Sequence, residues 1–241
     1  MSAANILLAL IITAGITYSI TARKLTIMAA LTGGLVAYII YLGAGFTGVA
    51  IMTVFFILGS AATSWQRTAK LAFEDVRERQ SGRTTGQVLA NSGIPAVCGL
   101  LALLFPRYAY LFTLMMAAGF ASATADTLSS ELGSVYGRRF INIITLKVDE
   151  RGLDGVISLE GTLIGVLGSF IIAIIDAIGF GWNIYLVLIV VAGTIGNLAD
   201  SVMGALLERR RMMGNNSVNF LNTLIAALAM LLFYFIKINF T

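Results

Sequence analysis

The sequence contains no histidine, a single cysteine, two prolines and few charged residues among its 241 positions. Without histidine, the usual proton carrier near neutral pH and a common zinc ligand are both missing. Since Cys98 is the only cysteine, no disulfide can form within the chain. A functional site must therefore be built from carboxylates, amides, hydroxyls and basic side chains.

Charged residues make up only 12% of the sequence and hydrophobic residues 58%, and the mean hydropathy is +0.90. A soluble domain usually has about 25% charged residues. The composition therefore indicates an integral membrane protein forming one domain over residues 1–241. The net charge of +4 reflects membrane topology in such a protein, so we expect no nucleic-acid partner.

Apolar runs of about 20 residues predict an all-α transmembrane bundle of about eight helices. The predicted spans cover residues 3–20, 25–42, 46–64, 87–105, 108–132, 158–178, 184–207 and 217–237. The connections at 43–45, 105–107 and 179–183 are short. The glycines that recur in these spans, 25 in the whole chain, fit close helix packing within one chain or between two copies, which leaves a homo-oligomer open.

The basic residues predict the orientation of the bundle. An outside N-terminus puts 14 of the 16 on the inner side, all except Arg107 and Lys237. They are Arg23, Lys24, Arg67, Lys70, Arg77, Arg79, Arg83, Arg138, Arg139, Lys147, Arg151, Arg209, Arg210 and Arg211. Positive residues favour the cytoplasmic side, so both termini are expected outside and the polar connections in the cytoplasm of a multi-pass membrane protein.

Four acidic residues lie at the inner ends of predicted spans: Asp126, Glu131, Glu160 and Asp200. Ionisable residues inside a membrane are costly and usually functional or paired. The spacing of Asp126 and Asp200 from small and polar residues puts each on a polar helix stripe that faces the bundle interior. Asp176 lies near the outer end of its span, where we expect it to be solvated.

Amide side chains enter the bundle from the same side. Arg83, Gln87 and Asn91 follow one helix face, and Asn219 and Asn222 begin the last span. Carboxylates and amides at one level are oxygen ligands suited to Mg²⁺, which binds through one or two carboxylates plus substrate phosphates. Asp126 and Glu131 are separated by about 140° on a regular helix, so both can bind one ion only if the helix breaks between them.

Five segments together resemble the integral membrane family known as domain of unknown function 92. They are GRTTGQVLANSG at 82–93, ADTLSSELG at 125–133, DGVISLEGT at 154–162, GNLADS at 196–201 and NFLN at 219–222. The resemblance covers residues 80–241, whereas residues 1–64 carry less of it. The family includes the plant phytyl-phosphate kinase of tocopherol synthesis.

The resemblance implies a kinase that transfers a phosphoryl group from a nucleoside triphosphate, CTP among the candidates, to phytyl or geranylgeranyl monophosphate at the cytoplasmic face. It implies that Asp126, Glu131, Glu160 and Asp200 are catalytic and bind Mg²⁺. Residues implied to bind substrate or nucleotide phosphates are Arg83, Gln87, Asn91, Ser130, Arg139, Asp154, Ser158, Asn197, Asn219 and Asn222. The expected partners are a prenyl monophosphate, a nucleotide and membrane lipids.

Two other functions agree with the same residues. An ion-coupled secondary transporter also uses carboxylates inside the membrane, although it would place them near the midplane with access from both sides. Another CTP-linked lipid enzyme, such as a polyprenol kinase or a cytidylyltransferase, would share the nucleotide site. The products formed from a prenyl monophosphate and from a prenol distinguish the kinases, and flux in liposomes tests the transporter.

Overall fold

The computed structural model describes residues 2–66 and 82–240 of the chain, which are almost entirely helical. The helices are α1 (Ala3–Thr21), α2 (Ile27–Ser64), α3 (Thr85–Leu104), α4 (Ala109–Tyr136), α5 (Leu159–Phe180), α6 (Tyr185–Met203) and α7 (Asn215–Phe240). A 3₁₀ turn, Pro106–Tyr108, precedes α4, and a π-helical turn, Gly204–Glu208, extends α6. The strands β1 (Ile141–Asn142) and β2 (Val156–Ile157) pair antiparallel in the connection from α4 to α5.

Seven helices in the described part of the chain are long and apolar enough to cross a membrane, which confirms the predicted all-α transmembrane bundle. The helix α2 has 38 residues, and a straight helix of that length would extend about 57 Å. Instead, Gly45 has non-helical torsions (φ 60°, ψ −154°). Lys24 before α2 donates a hydrogen bond to Ser64 at its end, with Nζ and Oγ 2.6 Å apart. The helix therefore folds back on itself.

The two arms of α2 match the predicted spans 25–42 and 46–64, so the described residues contain one helical segment for each of the eight predicted spans. The predicted bounds of the other helices lie within about four residues of the observed ones. A reversal at Gly45 needs a backbone conformation that is essentially restricted to glycine. Gly43 is also required, since a Cβ there would overlap the carbonyl oxygen of Gly99 in α3.

Helix α4 forms the centre of the bundle. It packs against α2, α3, α5, α6 and α7, and 83% of the residues in its most apolar stretch are buried. By contrast, α1 packs mainly on α2, and only 11% of the residues in its most apolar stretch are buried. Small residues allow the close approach of α5 to α4, because a Cβ on Gly161 would lie 3.1 Å from the Cα of Gly133. Polar residues on α4 are thereby placed within reach of the surrounding helices.

The bundle has two chemically different ends. We call one of them the polar end. It is formed by residues 22–26, the end of α2, the start of α3, and the connections 137–158 and 204–214. The backbone N–H of Thr26 donates to the carbonyl of Arg83 there, at 3.1 Å. The opposite end contains the reversal of α2, the turn before α4 and the connection from α5 to α6. The predicted inner residues Arg67, Lys70, Arg77 and Arg79 lie outside the described residues.

Candidate functional site

The candidate site is centred on the carboxyl groups of Asp126 and Asp200. They come from α4 and α6 and lie within hydrogen-bonding distance of each other. The Nδ2 of Asn222 in α7 donates to Asp200 Oδ1 at 2.7 Å. The Oδ1 of Asn222 accepts from the hydroxyl of Ser122 at 3.1 Å. Three helices therefore hold the acidic pair in place through one hydrogen-bonded chain of side chains.

A second contact lies one helical turn along α4. The hydroxyl of Ser129 donates to Asn197 Oδ1 at 3.0 Å. A Cβ on Gly165 of α5 would lie 2.8 Å from Asn197 Nδ2, so the glycine makes room for this amide. The predicted polar stripes of the spans 108–132 and 184–207 thus face each other, and their amides and hydroxyls surround the acidic pair.

More acidic groups lie at the polar end beside this pair. Glu208 of the π-helical turn interacts electrostatically with Asp200 and Asp154. Burial raises the pKa of Asp154, and the nearby Arg209 guanidinium opposes that increase. Arg209 Nε also donates to the carbonyl oxygen of Asp154 at 2.6 Å. π-Helical turns are rare and occur frequently at functional sites.

Arg209 also joins the two connections of the polar end. Its Nη2 forms an ion pair of 2.8 Å with Asp149 Oδ2. The backbone N–H of Glu150, together with Arg209 and Asn142, lowers the pKa of Asp149. Both side chains are partly exposed, so this ion pair joins two connections at the surface of the polar end.

Arg83 lies on the other side of α4. Its Nη2 donates to Thr63 Oγ1 at 3.2 Å, and its guanidinium packs over Gly59 in the second arm of α2. Burial lowers the pKa of Arg83, and the Glu131 carboxylate opposes that decrease. Arginine nevertheless remains protonated in proteins. Gln87 accepts a hydrogen bond from the backbone of Thr84 in a capping box that begins α3.

The predicted site residues therefore divide into groups. Asp126, Asp200, Asn197 and Asn222 come together around the acidic pair, while Arg83, Gln87 and Asn91 gather beside α2 with Glu131 nearby. Glu160 is separate, and its Oε2 accepts from the backbone N–H of Arg138 at 3.3 Å. Arg139 is exposed on the loop.

The remaining predicted residues have mainly local contacts. Ser158 is 5% exposed and caps α5 by accepting from the backbone N–H of Gly161. Ser130 donates to backbone carbonyls within α4, including that of Asp126 at 2.9 Å. Asn219 is buried, with its Oδ1 lacking a hydrogen-bond partner.

The donor set fits one divalent ion at the acidic pair but not at all four predicted carboxylates. Within residues 2–66 and 82–240, no three acidic, histidine or cysteine side chains are close enough to hold an ion together. Helix α4 is unbroken from 109 to 136, so Asp126 and Glu131 point to different sides, as the 140° argument requires. Two carboxylates are nevertheless sufficient for Mg²⁺ when substrate phosphates complete its coordination.

Asp176 corrects one expectation. It was expected to be solvated, but it is 3% exposed and its Oδ1 has no hydrogen-bond partner. Thr47 at the reversal of α2 packs against Gly179, and Tyr110 contacts Phe180 with ring centres 6.5 Å apart. These contacts cover the end of α5, and no periodicity within α5 could have shown them.

Sequence reasoning also missed site residues. Ser122 and Glu208 lie on the polar stripes but were not predicted as site residues. Their helical spacing from Asp126 and Asp200 could have indicated that they face the same site. Thr63, which contacts Arg83, lies in the part of the chain with less resemblance to the family and had no such signal.

Comparison with known proteins identifies the family to which the sequence is similar. The sequence profile of the family described as integral membrane protein DUF92 matches residues 10–227. An uncharacterized membrane protein of Methanocaldococcus jannaschii is 36% identical over 201 residues, which are 83% of this chain and 82% of that protein. The comparison with solved structures finds no significant match.

One plant relative and one cyanobacterial relative are more distant. The chloroplastic protein VTE6 of Arabidopsis thaliana is 31% identical over 78% of this chain, which spans 59% of the plant protein. An uncharacterized membrane protein of Synechocystis is also 31% identical over 78% of this chain and 74% of its own length. The family match over residues 10–227 includes both the acidic pair and the Arg83 group.

Proposed function

This chain belongs to the integral membrane family DUF92, and we propose that it is a membrane-embedded isoprenyl phosphate kinase. The kinase transfers the γ-phosphoryl group of CTP or ATP to phytyl or geranylgeranyl monophosphate. An oxygen of the acceptor phosphate forms the new P–O bond while the bond from the γ-phosphorus to the β-bridging oxygen breaks. The products are the prenyl diphosphate and a nucleoside diphosphate.

The observation that carries this proposal is the adjacent pair of Asp126 and Asp200 carboxyl groups at the polar end of the bundle, where Asn222 donates to Asp200. These carboxylates would hold Mg²⁺, which supplies positive charge to the phosphate oxygens when bound. Asn222 keeps Asp200 oriented, and Asn197 presents an amide next to the pair. Such positioning provides most of the catalysis in phosphoryl transfer.

No strong general base is needed for this reaction. A phosphate monoester has a second pKa of about 6, so the attacking oxygen is already ionised near neutral pH. The sequence has no histidine, and the proposed reaction does not require one. Arg83 lies beside α4 at the same end, where it would neutralise the charge of a phosphate.

The proposal also assigns the orientation. The polar end carries the basic residues of the connections 22–26, 137–158 and 204–214, and the positive-inside rule therefore supports a cytoplasmic location for it. Soluble nucleotide reaches the acidic pair from that side. The acceptor remains in the membrane with its phosphate at the same level.

The test is a transfer assay with purified protein. The protein is incubated with Mg²⁺, geranylgeranyl or phytyl monophosphate, and CTP or ATP labelled in the γ-phosphate, and the lipids are then separated. The proposal expects a labelled prenyl diphosphate. Geranylgeraniol is the matched control acceptor: labelled monophosphate from the prenol, without diphosphate from the monophosphate, would instead indicate a polyprenol kinase.

One observation favours the transporter as a second candidate. Asp176 is a buried carboxyl group in the half of the bundle opposite to Asp126 and Asp200. Buried acidic groups therefore lie at more than one depth along the bundle. Coupled transport uses such groups to bind ions on both sides of the membrane. Flux in liposomes that depends on a proton or sodium gradient and stops in Asp176→Asn would support this alternative.

A further inference from the structure

A small cavity lies between the two arms of α2 and the first turns of α3. Its volume is about 40 Å³. A single water needs about 10–15 Å³ on such a scale, so the cavity has room for about three waters or for the oxygens of one phosphate group. It cannot enclose a long lipid chain.

One side of the cavity is polar. Arg83, Gln87 and Asn91 line it from the start of α3. Asn91 Nδ2 donates to the Gln87 carbonyl at 2.9 Å, and its buried Oδ1 has no partner. Gln87 Oε1 accepts from the backbone of Thr84, so the amide nitrogen of Gln87 is directed away from that cap. The cavity therefore presents the Arg83 guanidinium and the amide nitrogen of Gln87 to an anionic ligand, whereas the free Asn91 Oδ1 is a hydrogen-bond acceptor.

The other side is apolar. Met52, Phe55 and Phe56 from the second arm of α2 line it, and Gly33 lines it from the first arm. Met52 lies about one helical turn farther from the polar end than Phe55 and Phe56. The apolar wall thus continues from the charged group toward the middle of the membrane. This combination suits a molecule with an anionic head and an apolar tail.

The cavity is also next to the acidic site. The Arg83 guanidinium and the methyl group of Thr127 both approach Gly59, at 3.3 and 3.6 Å from a Cβ built there. Thr127 directly follows Asp126 in α4. Successive residues are about 100° apart on a helix, so a phosphate bound by Arg83 would lie on the face of α4 next to the one that carries the acidic pair.

We propose that this cavity binds the phosphate of the acceptor, a phosphate monoester of a single-chain lipid, with the tail leaving along Met52, Phe55 and Phe56. This inference rests on the proposed function and adds to it a division of the site between neighbouring faces of α4: the acceptor phosphate lies on the α2 side, and the nucleotide lies on the α6 side with its γ-phosphoryl group directed toward the acceptor phosphate. The acceptor then reaches its site from the membrane and does not compete with the nucleotide.

The first test fills the cavity. Gly33 lines the cavity and a Cβ there meets no atom within 4 Å, so Gly33→Leu adds a side chain at the cavity wall without a backbone clash. Gly15→Leu is the matched control, because Gly15 is also a helical glycine with open space around it but lies in α1, outside the cavity. Equilibrium binding of tritiated geranylgeranyl monophosphate is measured in phosphatidylcholine nanodiscs without nucleotide.

We expect the dissociation constant to increase at least about tenfold in Gly33→Leu and to stay unchanged in Gly15→Leu. Equal binding by both folded variants would overturn the inference. Phosphatidic acid is added as a competitor in a separate series, since it carries the same phosphate on two chains. It should displace the prenyl phosphate poorly, and equally effective displacement would contradict a single-chain lipid site.

The second test changes the charge of the cavity and keeps its shape. Asn91→Asp should weaken binding of geranylgeranyl monophosphate at least about tenfold and leave binding of neutral geranylgeraniol unchanged. A parallel loss for both lipids would contradict a phosphate contact. The outcomes also separate the two proposals: tight binding without phosphoryl transfer refutes the kinase, whereas transfer with an unchanged KM in Gly33→Leu refutes the cavity.

Discussion

Asn222 connects three helices through its side chain, and the geometry of the acidic pair depends on it. It is fully buried, donates to Asp200 and accepts from Ser122. At the residue scale, the sequence indicated that Asn222 and Asp200 lie at a similar depth, because both are near the inner end of a span. It could not indicate that they are bonded to each other, since that depends on how α6 and α7 pack.

Replacing Asn222 should destabilise the protein. Asn222→Ala leaves the Asp200 carboxyl and the Ser122 hydroxyl without their partner inside the bundle, which typically costs about 1–3 kcal/mol. Thermal unfolding in detergent should show a midpoint several degrees lower. Asn216→Ala, at the exposed start of the same helix, is the control and should leave the midpoint unchanged. Equal midpoints for both variants would show that the Asn222 contacts contribute little.

Helical periodicity predicts the direction of a side chain but not its tertiary contacts. The angular separation of Asp126 and Glu131 on a helix predicted that they would not share one ion, and the unbroken α4 agrees. The burial of Asp176 was not predictable, because Thr47 and Tyr110 come from distant parts of the chain. Local spacing therefore predicted where a side chain points, but not what covers it.

At the element scale, the reversal of α2 determines the number of spans. The short Gly-rich connection at 43–45 separated two apolar runs, which was enough to predict two helices. The non-helical torsions of Gly45 interrupt the helix at this connection, so the two arms of α2 correspond to the two helices that were expected. The glycines serve both as a turn and as a contact surface for α3.

Gly43 should tolerate no side chain. In Gly43→Ala, the added Cβ would overlap the Gly99 carbonyl oxygen in α3, and such overpacking usually costs about 1–3 kcal/mol. We expect a lower thermal midpoint and less folded protein after size-exclusion chromatography. Gly15→Ala is the matched control, since its Cβ has open space and alanine favours a helix. A midpoint for Gly43→Ala at or above that of the control would contradict the close approach of α2 and α3.

For the molecule as a whole, cytoplasmic nucleotide can reach the acidic pair only if the polar end faces the cytoplasm. The distribution of 14 basic residues predicted this, and the fold places both described chain ends at the opposite side of the bundle. The packing of the connections into one polar end could not be read from charge alone. It follows from the central position of α4, which the sequence did not identify.

The orientation can be measured by cysteine labelling. In a Cys98→Ala background, Arg139→Cys places a thiol in the exposed loop at the polar end, and Arg107→Cys places one at the opposite end. An impermeant maleimide should label the Arg107→Cys variant in intact cells and the Arg139→Cys variant only after permeabilisation. The reverse pattern would put the acidic pair outside and exclude cytoplasmic nucleotide as the donor.

If Asp126 and Asp200 hold the metal and phosphates for phosphoryl transfer, acid-to-amide variants of the pair must lose turnover in the prenyl phosphate assay. Asp126→Asn and Asp200→Asn should each lose at least about 100-fold in kcat, because they remove charge where the metal and phosphates would be held. Asp176→Asn is the matched control, the same change in a buried acid at the opposite end, and should remain within about twofold of the parent protein. If all three variants are folded and equally active, the account is contradicted.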